Sequence, residues 1–154
     1  MTLAILLLHA LTGMLFILAA GFVFVDTLNA SAANLERIRT MSRLVAGLLW
    51  LTYFIGGYWY VVNYAPEKAF IMKGPWKFSH SFFMETKEHV FLALLLLGTL
   101  LPIIATNDLV TSKGARKLML WVTTLLVLVG FGMDGAGAII SLGAKVALLP
   151  VAGG

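Results

Sequence analysis

Hydrophobic positions in this chain come in long unbroken blocks rather than in alternation. Four blocks stand out, over residues 3–25, 44–62, 85–106 and 118–142. The uncharged part of the third begins at His89, and Asp134 interrupts the fourth. Each approaches the roughly 20 residues that an α-helix needs to cross a hydrocarbon core about 30 Å thick. Alternating segments of about ten residues, the mark of a membrane barrel, are absent. The pattern predicts an all-α fold: one integral membrane domain over residues 1–154, built as a four-helix transmembrane bundle.

Composition agrees, with 60% hydrophobic and 12% charged residues, against roughly 25% charged in soluble domains. The first block resembles a secretory signal, and Ala30-Ser31-Ala32 resembles a cleavage site. However, no Lys or Arg precedes Arg37, and the block outruns the usual apolar region of about 7–15 residues. It is expected to remain as a membrane helix. The chain has no cysteine, which excludes thiol–disulfide chemistry, iron–sulfur clusters and thiolate-bound or covalently attached haem. The net charge of +4 comes from connecting segments. It fits lipid headgroups and carries no nucleic-acid signal.

Even topology places both termini and the second connection on one side. The opposite side carries Arg37, Arg39, Arg43, Lys113, Arg116 and Lys117 in two short runs, while Lys68, Lys73, Lys77, Lys87 and Lys145 are spread over more residues. Cations concentrate on the cytoplasmic side. Both termini are therefore expected on the outer, periplasmic face of a bacterial-type inner membrane. Arg43 suits snorkelling to phosphate. The connection from Asn63 to Lys87 is rich in aromatics: Tyr64, Phe70, Trp76, Phe78, Phe82 and Phe83. Rings of this kind favour the headgroup layer, so the segment is expected to lie over the bundle as a cap or as a plain anchor.

An imidazole or carboxyl inside a span is costly without a partner and marks a site. His9 lies roughly 9–10 Å below the outer end of the first span, and Asp134 roughly 12 Å below the same surface. His89 opens the third span on that side. Two neutral imidazoles from different helices suit haem iron, copper or zinc. Haem b fits the surroundings best, because Gly13 and Ala93, one turn beyond His9 and His89, leave clearance for a flat macrocycle. Asp134 is expected in or beside this pocket, as a hydrogen-bonding or proton-handling group. The glycines around it also suit simple helix packing.

Glu85 and Glu88 either support His89 or form an ordinary acidic helix start. His80, nine residues before His89, falls on the opposite helical face. It suits a haem propionate or a surface position, and a copper site with Met72 and Met84 is a further reading. No Gly-rich phosphate loop, H-E-x-x-H or Ser/His/Asp arrangement is present.

The order of parts can be compared with known families. Leu7-Leu8-His9-Ala10-Leu11-Thr12-Gly13 opens the chain, and Ser42-Arg43-Leu44 starts a span ending near Gly56-Gly57. Pro75-Trp76-Lys77-Phe78-Ser79-His80 then precedes Lys87-Glu88-His89. This layout resembles the small four-helix membrane haem-b proteins, including the copper-resistance D type and the HemJ-type protoporphyrinogen oxidases. The resemblance implies a b-type haem held by His9, with His89 as a second ligand, and electron exchange with a quinone or a partner protein.

The leading expectation is thus a cytochrome-like electron carrier, with His9 and His89 as ligands of one haem between helices 1 and 3 near the outer leaflet. It would link membrane quinone to an outer-face redox partner, within an oligomer or larger complex. The alternatives are a non-catalytic accessory or anchoring subunit and a small proton-conducting protein.

Overall fold

The computed structural model describes residues 2–149, all of whose regular elements are helical. Helix α1 spans Thr2–Leu28, α2 Leu35–Lys73, α3 Glu85–Ile104 and α4 Lys113–Leu148, with a single π-helical turn, Ser79–Met84, leading straight into α3. All four are long and apolar enough to cross a membrane. This is a multi-pass membrane bundle. A third or less of each most apolar window is buried inside the protein, so most of the span surface faces outward. Lipid is as apolar as leucine, and helices in it are held by close packing and internal hydrogen bonds.

The helices form a ring in which α1 packs on α2 and α4, and α3 also packs on α2 and α4. α2 touches α4 across the centre, whereas the backbones of α1 and α3 nowhere come as close among the described residues. Small residues set the close approaches: Gly98 lies against Leu49, and Gly130 against Phe16 and Ile17. The buried hydroxyls of Thr12, Thr27, Ser42 and Thr123 donate to carbonyls of their own helices at 2.7–2.9 Å. None of these four hydroxyls needs water.

Two packed clusters result. The larger joins Phe16, Val23, Ile38, Val45, Leu101 and Met119 toward the basic end; the smaller joins Trp59, Tyr64, Ile71, Met84 and Ile140 toward the other.

At the basic end, the last carbonyls of the helices lack intrahelical donors; two arginines meet them and a third pairs with a carboxylate. Arg116 Nε donates to Thr27 O at 3.0 Å and Nη2 donates to Leu28 O. Arg39 Nε donates to Ala105 O at 3.1 Å. Arg37 grips Asp26 through two bonds of 2.7 Å. Asn34 completes the first turn, donating to Asp26 O at 3.1 Å and accepting from Ser31 N at 2.8 Å. Ser112 caps α4, accepting from Ala115 N at 3.3 Å. These cations, expected at the headgroups, are partly used in closing helix ends.

The expected surface cap between Asn63 and Lys87 is replaced by continued helix. α2 runs through Pro66 to Lys73, because Ala65, Glu67, Lys68, Ala69 and Met72 are tolerant or good helix formers and Tyr64 and Ile71 are buried. Pro66 forfeits its own donor and crowds the carbonyl of Val62, a cost of about 3 kcal/mol inside a helix that this burial offsets. The connection proper shrinks to residues 74–78. There Gly74 meets Ala147 so closely that a methyl would stand 2.7 Å from its Cβ.

Candidate functional site

Between the two packed clusters the diagonal gap separating α1 from α3 remains open. It is a cavity of about 490 Å³ to which all four helices contribute. Its walls are mostly apolar, and every helix adds polar side chains: His9 from α1, Thr52, Tyr53, Trp59 and Tyr60 from α2, Lys87 and Glu88 from α3, and Asp134 and Ser141 from α4.

His9 Nδ1 lies 3.0 Å from Thr52 O. A carbonyl only accepts, so Nδ1 carries the proton and Nε2 is left with a free lone pair. The ring fits because position 56 is glycine: a methyl there would stand 2.5 Å from Cε1 and 2.7 Å from Nδ1. Thus α2 both holds the ring by a main-chain acceptor and makes room for it.

One turn along α1, the carboxyl of Asp134 lies over Gly13, whose added methyl would stand 3.2 Å from Oδ1. Opposite, Lys87 Nζ donates to Met133 O at 3.0 Å and sits over Gly137, 3.1 Å from where a methyl would be. An ammonium has three donors, so Lys87 keeps donor capacity for a ligand. Trp59 Nε1 and Thr52 Oγ1 are buried polar atoms without a hydrogen-bond partner among the described residues. Such groups normally find partners; both atoms are shut off by the side chains packed around them.

Three expected site residues therefore meet: His9, Gly13 and Asp134 line the cavity. His89 does not. It is exposed, with Nδ1 donating to Glu85 O at 2.6 Å, and it lines a separate outer pocket with Ser81, Phe82 and Thr86. Ala93, one turn on, is exposed too. The expected pairing of His9 and His89 on one cofactor is corrected on this point: His89 faces away from the chamber that His9 faces. His80 is 4% exposed and absent from the cavity wall, and its Nδ1 shares a 2.9 Å hydrogen bond with the Tyr64 hydroxyl.

Lys87 is the residue that sequence reasoning passed over, having counted it among the spread cations of the outer side. Residues two apart on a helix point about 200° apart, so if His89 faces out, Lys87 faces in. The detectable signal was register. Lys87, Phe91, Leu94, Leu95, Gly98 and Leu101 share one stripe, and Gly98 marks it as a packing face.

Among the described residues no three His, Asp or Glu side chains gather around one point, so the cavity does not offer a metal cage made of side chains alone. No known protein family, characterised protein or solved structure matches this chain.

Proposed function

We propose that the central cavity binds one b-type haem through His9, and that the protein is a membrane electron carrier. The observation that carries this reading is the His9 ring. Its Nδ1–H is committed to the Thr52 carbonyl, which leaves Nε2 unpartnered beside an open chamber. Ligating histidines usually have this arrangement, because the second-nitrogen contact fixes tautomer and ring angle.

The rest of the chamber suits such a group. Its volume falls within the range of about 300–1,000 Å³ usual for cofactor sites, its walls are apolar, and glycines 13, 56, 57, 130 and 137 line it. Haem iron takes most of its ligands from the macrocycle, so one imidazole suffices and no side-chain cage is needed. Lys87 presents an amine to a carboxylate edge. When bound, haem supplies one-electron chemistry at a potential set by axial ligand, burial and hydrogen bonding. Thr52 orients the imidazole, Gly56 gives it room, and Asp134 offers a proton acceptor one turn away. In this reading the site lies near the outer leaflet, both termini face the periplasm, and quinone with an outer-face protein are the exchange partners.

Hemin titration of purified protein tests the reading. We expect a b-type spectrum in the wild type and in His89→Ala, and its loss in His9→Ala. No spectrum in the wild type, or equal loss in both variants, removes it.

A further inference from the structure

The wall between α2 and α3 is not continuous. Two rungs join these helices at cavity level. Tyr53 stacks on Phe91 with centroids 5.1 Å apart, and Tyr60 donates to Glu88 Oε1 at 2.6 Å. On α2, positions 53, 57, 60 and 61 share one face. Between the rungs that face carries Gly57, and an added methyl there would meet nothing within 4 Å. Val61, one turn on, lines the cavity although it is 79% exposed. A side chain that faces both the chamber and the outside marks an opening, and at this level the outside of a membrane bundle is lipid. Inside the opening the Lys87 amine is the cationic donor; of the carboxylates in the mostly apolar wall, Glu88 is taken up by Tyr60 and Asp134 lies over Gly13.

We infer that the cavity is filled sideways from the bilayer, through a window between α2 and α3 with Gly57 as its sill, by membrane-dissolved molecules that pair an apolar body with a carboxylate. This deepens the reading of the cavity as a ligand site and extends it to how the ligand arrives. Tyr53–Phe91 and Tyr60–Glu88 bound the window on either side. The apolar body moves from lipid to apolar wall at little cost, and the carboxylate gains the amine of Lys87. A charge-assisted hydrogen bond of this kind survives best where water is scarce.

The test uses full-length protein in phosphatidylcholine vesicles with Trp50, Trp76 and Trp121 changed to Phe, so that Trp59 alone fluoresces. The probe is a nitroxide-labelled stearic acid, with its methyl ester and aqueous iodide as comparisons. We expect saturable quenching by the acid, a weaker saturable component with the ester, and little quenching by iodide. Gly57→Leu, which fills open space, should abolish the saturable component. Gly47→Leu, equally unobstructed on the same helix, should leave it intact. Lys87→Met should weaken the acid by about tenfold or more, as loss of a charged hydrogen bond implies.

Quenching unchanged in Gly57→Leu, dominated by iodide, or merely linear in probe overturns the proposal. Hemin titration of the same protein separates the two readings: hemin binding without saturable acid quenching keeps the haem site and removes the lipid route, and the reverse result does the opposite.

Discussion

Gly56 and Gly57 are neighbours on α2 with opposite surroundings, and replacing each with alanine isolates the seat of the His9 ring. Within a helix, Gly→Ala gains about 1 kcal/mol of propensity, and that gain is common to both variants. At 57 the new methyl meets open space, so Gly57→Ala should be stabilised by roughly that amount. At 56 the methyl would stand 2.5 Å from His9 Cε1 and 2.7 Å from Nδ1, inside van der Waals contact. The ring must swing away and surrender its 3.0 Å bond to Thr52 O. Overpacking of this kind costs about 1–3 kcal/mol, the lost hydrogen bond included.

Because propensity cancels, Gly56→Ala should be about 1–3 kcal/mol less stable than Gly57→Ala. Equilibrium unfolding in mixed micelles of a mild detergent and dodecyl sulfate measures the difference. Nitrogen NMR of labelled histidine should show His9 changing tautomer balance in Gly56→Ala only. Equal stabilities within about 0.5 kcal/mol, with an unchanged His9 signal, would refute the argument that position 56 holds the ring.

Three further outcomes are expected. Arg116→Met removes the donors to the last carbonyls of α1 and should cost about 1–2 kcal/mol, seen as a lowered melting temperature that Arg116→Lys partly restores. Asp108 is held below its ordinary carboxylate value of 3.8 by the Thr111 hydroxyl first, then by the amides of Val110 and Thr111. A depressed folded value means that its contribution is complete above 3.8 and fades as pH falls through the lowered value. The melting difference between wild type and Asp108→Asn should therefore vanish in strong acid, and a difference that grew with acidity would contradict it. Finally, the cysteine-free chain suits single-cysteine labelling. An impermeant maleimide on intact spheroplasts should reach Lys73→Cys and miss Thr40→Cys and Lys117→Cys, and the reverse pattern would invert the orientation.

The four spans, His9 and Asp134 were legible because their signals are large: long apolar blocks, and polar groups stranded within them. The partner across the cavity was not. Choosing between Lys87 and His89 requires knowing which leucines of α3 face protein and which face lipid. Leu94 and Leu101 are buried while Leu92 and Leu96 are exposed, yet both environments are equally apolar. Hydropathy cannot separate them; only the small residue Gly98 breaks the tie. The extension of α2 was masked in the same way. The aromatics between Asn63 and Lys87 suit a segment lying over the bundle, whereas burial of Tyr64 and Ile71 against Met84 and Ile140 keeps the chain helical as far as Lys73. That the basic runs would close helix ends as well as face lipid was equally hidden, since the carbonyls that Arg39 and Arg116 meet lie 66 and 89 residues away in sequence.

The separation of the α1 and α3 backbones has a mechanical consequence. Each of these helices is fastened to α2 and α4, so the void between them survives as an arch does, by the stiffness of its flanks. The part of that space that lipid leaves unfilled is compressible volume. Hydrostatic pressure should favour states that eliminate it, and a molecule wedged between α1 and α3 should make the bundle markedly more resistant to pressure.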